Sequence, residues 1–232
     1  MDAHHLSKRL KTVASFVPKG ARLADIGSDH AYLPAYLALN KQITFAIAGE
    51  VVKGPFENAQ NEILKEGLTG VVQARLKDGL AAVELTDNID TITICGMGGP
   101  LIADILQAGK AKLQNHPRLI LQPNVGEKNV RLFLDANGYT IKAEEILAED
   151  GHTYEIIVAD WTGAEPSLSE LDLLFGPALR QEQNQVFKAK WTKEKDKLKK
   201  VLAQMQKAKQ VPTAKIKEIE AEIAQIEGVL HG

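Results

Sequence analysis

The sequence predicts an α/β fold: a doubly wound, mostly parallel sheet closed by an antiparallel hairpin, followed by a helical hairpin. Three observations carry this. Short apolar runs alternate with helix-length amphipathic segments between residues 22 and 137, the pattern of a parallel sheet with crossover helices. Two extended runs then follow with no helix between them, a link short enough only for antiparallel pairing. Beyond Pro166, apolar residues step by three and four through Ala-, Glu- and Lys-rich sequence, which is helical in period and composition.

Each element follows from its residues. Leu6, Leu10, Val13, Ala14 and Val17 form one helical stripe, with Lys8, Arg9 and Lys11 turned away from it. Pro18 and Gly20 end that helix. Strands are predicted over 22–26, 43–49, 71–75, 91–95 and 118–122, and helices over 33–40, 55–66, 99–113 and 127–137. Residues 138–151 and 154–159 form two strands joined through Glu149-Asp-Gly-His152, and the sheet ends at Trp161. Residues 162–166 make a linker, so the predicted domains are 1–166 and 167–232. In the second, Phe187, Trp191, Glu194, Leu198, Val201 and Met205 form one stripe, and Ile216, Ile219, Ile223, Ile226 and Leu230 another. Val211-Pro-Thr213 breaks them, with Thr213 placed to cap the second helix. Two heptad-patterned helices joined this way make an antiparallel coiled-coil hairpin.

A chain of 232 residues holds one sizeable core and a small appendage. The net charge of −2 decides nothing about nucleic acid, but its distribution is informative. Residues 185–217 hold eleven lysines against only Glu194 and Asp196, a handle for a polyanion. Lys188, Lys190, Lys193, Lys197 and Lys200 are the candidates there, with Lys8 and Arg9 on the first helix. The same heptad faces also suit a homodimer, so monomer and dimer both stand. No apolar run approaches the roughly 18 residues of a membrane span, and residues 1–10 lack the form of a signal peptide. A single cysteine, Cys95, suits a reducing compartment. A cytoplasmic protein without a membrane partner is expected. The six histidines show no metal-ligand spacing, so no metal is expected.

The first strand runs into Asp25-Ile-Gly-Ser-Asp-His30. A dinucleotide loop needs several glycines to approach a pyrophosphate, and here Gly27 stands alone between Asp25 and Asp29. Two carboxylates repel a pyrophosphate and attract the ammonium and sulfonium of S-adenosylmethionine (SAM). The turn therefore predicts a SAM site, with Asp25 or Asp29 at the ammonium and the Gly27–Ser28 backbone close by. Glu50, followed by Val51, ends the second strand, where a carboxylate accepts hydrogen bonds from ribose hydroxyls. Asp78-Gly79 follows the third strand, with Asp78 facing the adenine amino group. Cys95-Gly96-Met97-Gly98 ends the fourth and leaves backbone open at the ligand edge. Cys95 has no base partner to make it a nucleophile. Gln122 and Asn124 end the fifth strand and are candidates for reading a base edge. Such a sheet with such a turn is the architecture of Rossmann-like class I methyltransferases, a fold-level analogy.

These strings, in this order, resemble the bacterial tRNA (adenine(22)-N1)-methyltransferase family. The resemblance rests on Asp25 to Pro34, Gly49-Glu-Val-Val-Lys-Gly-Pro55, Asp78-Gly-Leu80, Cys95 to Gly99, Leu121-Gln-Pro-Asn124 and Tyr154-Glu-Ile156. It implies SAM-dependent methylation of N1 of an adenosine in the D-arm of tRNA, in the bacterial cytoplasm. It also implies cofactor contacts from Asp25, Gly27, Glu50, Asp78 and the backbone of Cys95 to Gly98. N1 carries an in-plane lone pair, so it attacks the sulfonium methyl directly and leaves a cationic base. Asp29 is the first candidate to stabilise that charge or take the amino proton, followed by His30 and Asn124. N1 lies on the pairing edge, so the base must flip, and Tyr32 is placed to stack on it. Action on another RNA or on a small molecule is an open alternative, as is a non-catalytic RNA-binding or dimerisation role.

Overall fold

A computed structural model of the chain describes residues 1–206 and 213–231. The chain forms two compact units, Met1–Leu168 and Ser169–Gly232. The first runs α1 (Lys8–Ser15), β1 (Ala21–Ile26), α2 (Tyr32–Leu39), β2 (Ile43–Glu50), α3 (Lys53–Lys65) and β3 (Val72–Leu76). It continues through β4 (Thr91–Gly98), α4 (Gly99–Ala108), β5 (Arg118–Val125), α5 (Glu127–Ala136), β6 (Tyr139–Glu149) and β7 (His152–Trp161). The seven strands form one sheet in the order β3-β2-β1-β4-β5-β7-β6. β1 to β5 are parallel, while β7 pairs antiparallel with both β5 and β6. The order reverses between β1 and β4, and ligands of open α/β sheets bind outside the carboxyl ends at such a point.

Alternation along the strands divides the core. Leu23, Ala46, Ala48, Ile120 and Val158 face Val13, Leu33, Leu37 and Ile63 of the first three helices. Ala24, Ile47, Ile92, Ile94, Leu119 and Ile157 face Ile102, Leu106, Val130 and Leu134 of α4 and α5. Both faces are covered, which is why the central strands read as nearly continuous apolar runs. The helix predicted over 99–113 stops at Ala108. Gly109 caps it, with its bare Cα packed where a Cβ would collide with Leu80, and a short 3-10 turn covers Lys110–Lys112. The β6–β7 link is tight because Asp150 and Gly151 both take positive φ, +50° and +77°, as a two-residue hairpin turn requires.

Arg131 of α5 is fully buried and bonds Glu144 of β6 at 2.8 Å and Glu155 of β7 at 2.6 Å. The helix is thereby pinned to the hairpin by charge as well as by packing.

The second unit opens with two short helices, α6 (Glu170–Phe175) and α7 (Pro177–Glu182). The long helices α8 (Gln185–Met205) and α9 (Thr213–His231) follow and pack on each other. Phe175, Phe187 and Trp191 form its aromatic core, with ring centroids 4.4–6.3 Å apart. The α9 stripe is buried at Ile216, Ile219, Ile223, Ile226 and Val229. The structure thus corrects the expected last position: Leu230 is only half-buried. Thr213 is the first residue of α9, and the expected break at Val211-Pro212 lies outside the described residues. Lys188, Lys193, Lys197 and Lys200 are exposed, whereas the Lys190 ammonium lies over the Trp191 ring, 5.3 Å from its centre. Among the described residues, no helix is long and apolar enough to cross a membrane, and no His, Cys, Asp or Glu cluster could hold a metal.

Candidate active site

The carboxyl ends of β1, β4 and β5 open into a cavity of about 340 Å³. The β1 loop supplies Asp25, Gly27, Ser28 and Asp29 to its wall, β4 supplies Cys95, Gly96 and Met97, and β5 supplies Asn124. Arg9 and Leu10 of α1 and Tyr154 of β7 line the remaining side.

The loop after β1 has an unusual backbone. Asp29, His30 and Ala31 all take positive φ, +36°, +61° and +56°. Side chains resist that region by about 1–2 kcal/mol per residue, so neighbours must hold it. The Asp29 amide donates to the Glu50 carboxylate, and the Gly27 and Ser28 amides donate to the Gly49 carbonyl at 2.9 and 3.3 Å. Strain of this kind concentrates at functional sites.

Asp25 is buried and accepts hydrogen bonds from Ser28 Oγ and Thr93 Oγ1, both at 2.6 Å. Burial pushes its carboxyl above the usual range, against the two hydroxyl donors and the Arg9 charge. Burial also raises Glu50, opposed by the Asp29 amide and reinforced by Asp25 and Asp29. Two buried acids held this way favour a cationic ligand group, whose charge offsets the cost of burying theirs. Asp29 itself projects at the cavity mouth with its side chain 74% exposed, and His30 Nε2 lies 3.5 Å from its Oδ1.

Gln122 is fully buried beneath the cavity floor. Its Oε1 accepts from the Gly96 amide at 3.0 Å and from Arg9 Nη1. Its Nε2 donates to the Pro123 carbonyl at 2.9 Å and Asn124 Oδ1 at 3.2 Å. Asn124 Nδ2 donates to the Gly96 carbonyl at 2.7 Å. The Gln122 amide is thus engaged at both ends, so it braces the β4 turn rather than reading a base edge. The amide of Asn124 is engaged in the same brace.

The residues expected at the cofactor divide by position. Asp25, Gly27, Ser28, Cys95, Gly96 and Met97 share the cavity wall, and so do Asp29 and Asn124. Glu50 is buried at the end of β2 against the Asp29 amide. Val51 is 63% exposed, and Asp78 is also exposed. A Cβ on Gly79 would touch Ile105, while Gly98 precedes α4 as its cap. Tyr32 is half-buried and stacks on His30, ring centres 5.1 Å apart and planes within 7°. Lys8 is exposed.

Arg9 is the clear correction. Its stripe position turns it away from the α1 core face, yet it does not face solvent. The guanidinium lies over the Tyr154 ring, 5.3 Å from its centre, and reaches Gln122. Sequence reasoning also missed Thr93, Tyr154 and Glu149. Only Thr93 carries a local signal, a polar residue in the apolar run Thr91-Ile-Thr-Ile94. Tyr154 and Glu149 meet Arg9 from more than a hundred residues away in the chain.

Two predictions arise here. A Cβ on Gly27, at φ +71°, would collide with the Met97 terminal methyl. Gly27→Ala is expected to cost about 1–2 kcal/mol of stability and to weaken cofactor affinity about tenfold, read by thermal denaturation and calorimetry. Unchanged affinity would mean that this turn does not approach the ligand. The Cys95 thiol is pushed well above its ordinary range by burial, with Asp25 adding and Arg9 opposing. Labelling by a bulky maleimide should therefore be slow at neutral pH, and complete labelling should block cofactor binding by volume alone. Full activity in completely labelled protein would place Cys95 outside the ligand volume.

The sheet order, the acidic β1 turn and the cavity at the reversal point define a Rossmann-like methyltransferase fold. The family model for TrmK, tRNA (adenine(22)-N(1))-methyltransferase, matches residues 23–228. The chain belongs to this family. A tRNA (adenine(22)-N(1))-methyltransferase of Bacillus subtilis is 47% identical over 198 residues, covering 84% of this chain and 83% of its own. A Streptococcus pneumoniae structure in complex with S-adenosyl-L-methionine superposes with a TM-score of 0.90 at 47% identity, covering 98% of this chain and 100% of the other. TrmK of M. capricolum, in complex with the natural cofactor product S-adenosylhomocysteine (SAH), gives 0.86 at 33% identity, covering 98% of each chain.

Proposed function

We propose that this protein transfers a methyl group from SAM to N1 of adenine 22 in tRNA, in the bacterial cytoplasm. The observation that carries the reading is the cavity at the β1–β4 reversal, walled by Asp25 and Asp29, in a chain of this family. The residues present fit SAM. Asp25 is a buried acid suited to an ammonium, and the Cys95–Met97 backbone offers an open edge. Glu50 is the ribose candidate at the end of β2, while Val51, Asp78 and Gly79 would meet the adenine from the neighbouring loops.

SAM supplies an electrophilic methyl on a sulfonium. Adenine N1 is unprotonated at neutral pH, so no base must act before transfer. The protein's contribution is then to hold nucleophile and methyl in line and to exclude water. Gln122 and Asn124 keep the β4 turn in one conformation, which preorganises that geometry. The Asp29 carboxylate at the mouth stabilises the cationic product base and takes its amino proton, with His30 beside it. Tyr32, stacked on His30, extends the aromatic surface on which a flipped base can rest.

Exposed lysines of α8 grip phosphates in this reading, as does the exposed Lys8 of α1. Replacing Lys188, Lys193, Lys197 and Lys200 by Gln should leave SAH affinity unchanged. It should weaken tRNA binding about tenfold and make its salt dependence shallower. Unchanged tRNA affinity would reassign α8 to another role, self-association among them. The test of the whole reading is transfer of labelled methyl from SAM to unmodified tRNA transcripts, followed by mass spectrometry of the nucleosides. The expected product is 1-methyladenosine at position 22. Cofactor binding with no labelled tRNA would overturn the substrate assignment.

A further inference from the structure

We propose that Leu101 and Val125 form an apolar wedge that enters the RNA stack as the target adenine leaves it. They thereby set how well the enzyme opens a paired substrate. This rests on the tRNA reading above and deepens it, because that reading places the adenine and the cofactor but leaves the gap in the RNA unfilled.

Exposure makes the first argument. Val125 is 66% exposed and Leu101 52% exposed, and Pro100 beside Leu101 is exposed as well. The fold gains nothing from apolar side chains left in water. The cavity wall uses none of the three. The exposed residues Val51, Val52 and Leu76 lie at or just after the ends of β2 and β3, on the side of the reversal point where the adenosine is placed. Pro100, Leu101 and Val125 stand on the other side, where the cofactor has no use for them. Exposed polar residues border them, Asn124 before Val125 and Asp104 one turn beyond Leu101. An apolar patch rimmed in this way marks a contact surface.

Position makes the second. Val125 follows Asn124, which lines the cavity, so the patch begins where the cavity wall ends. Val125 pairs with Gly98 at the end of β4. Gly126 packs beside Pro100, whose Cδ would lie 3.0 Å from a Cβ at that glycine. The β4 and β5 turns thus bring the three apolar residues together at one side of the mouth. RNA that delivers its adenine into the cavity passes the neighbouring bases over this rim. Extrusion leaves those bases without a stacking neighbour, and inserted apolar side chains, leucine among them, fill such a gap.

Rigidity makes the third, since a wedge acts only if the RNA cannot push it aside. Asn124 Nδ2 donates to the Gly96 carbonyl at 2.7 Å, and Gln122 bonds both the Gly96 amide and Asn124 Oδ1. A Cβ on Gly99 would collide with the Gly126 carbonyl, so the two turns touch through bare backbone. Val125 is β-branched and stiff at its first torsion. A surface held in advance loses little entropy on binding.

The test uses the full chain and three tRNA transcripts. One has adenine 22 paired, one has that pair broken by a mismatch, and one carries 2-aminopurine at position 22, whose fluorescence rises on unstacking. The double variant Leu101→Ser, Val125→Ser should keep its Tm and SAH affinity, because both side chains are exposed and outside the cavity. Its single-turnover methylation of the paired transcript should fall about 10- to 30-fold, while the mismatched transcript stays within about threefold of wild type. The 2-aminopurine signal, measured with SAH bound, should rise less than with wild type. The variant Leu101→Met, Val125→Ile should retain most of the rate. An unchanged rate on the paired transcript would overturn the inference. Equal losses on both transcripts would also overturn it, by assigning the patch to docking rather than to opening. Wild-type protein that binds SAH yet methylates no tRNA would overturn the tRNA reading itself, and the wedge with it.

Discussion

Asp29→Asn is expected to lower kcat for tRNA methylation about 100-fold, equivalent to about 2.7 kcal/mol of transition-state stabilisation, with little change in SAH affinity. Asparagine is the informative substitution. It keeps the shape of aspartate and tolerates the positive φ that Asp29 adopts. The Asp29 amide can still donate to Glu50, so the loop keeps its anchor. What changes is the charge. Methyl transfer turns a neutral adenine into a cation, and a carboxylate at the mouth gains interaction energy as that charge develops. The effect strengthens when the bound RNA displaces water from the now exposed side chain. The loss should therefore appear in single-turnover rate rather than in cofactor binding. An unchanged kcat would exclude Asp29 from the chemistry and leave His30 and Asn124 as the candidates.

Arg131→Met is expected to destabilise the fold by about 3–5 kcal/mol, lowering Tm by roughly 10 °C in a unit of this size. The methionine fills much the same volume, so packing is not the main loss. Removing the guanidinium deprives Glu144 and Glu155 of the charge that both contact in the interior. A buried carboxylate without its countercharge is among the costliest defects a core can hold. Replacing all three residues by apolar ones of similar size should recover most of the loss, since buried ion pairs rarely outperform well-packed apolar side chains. A Tm within about 2 °C of wild type for Arg131→Met would show that the triad is paired too weakly to matter.

The architecture was legible because it rests on local rules. Strand-length apolar runs, the Asp150-Gly151 turn and the heptad stripes of α8 and α9 each declare themselves within a few residues. The acidic turn was legible for the same reason: Asp25, Gly27, Ser28 and Asp29 are neighbours in the chain, and the cavity they line follows from the end of one strand. The family was recognisable because several such strings occur in a fixed order.

Side-chain destinations across elements were decided by the tertiary structure. Arg9 lies off the apolar stripe of α1, which predicts solvent. It turns into the cavity because β5 and β7 bring Gln122 and Tyr154 beside it. Arg131 occupies a helix position that periodicity cannot distinguish from a surface one, and it is buried because the β6–β7 hairpin supplies two acids. The cap of helix α4 has to be glycine because Leu80, nearly thirty residues earlier, fills the space that a side chain at 109 would need. Hydrophobic periodicity reports which face of an element leaves water. It carries no information about which distant partner will meet a charged group, because that pairing exists only after the sheet has assembled.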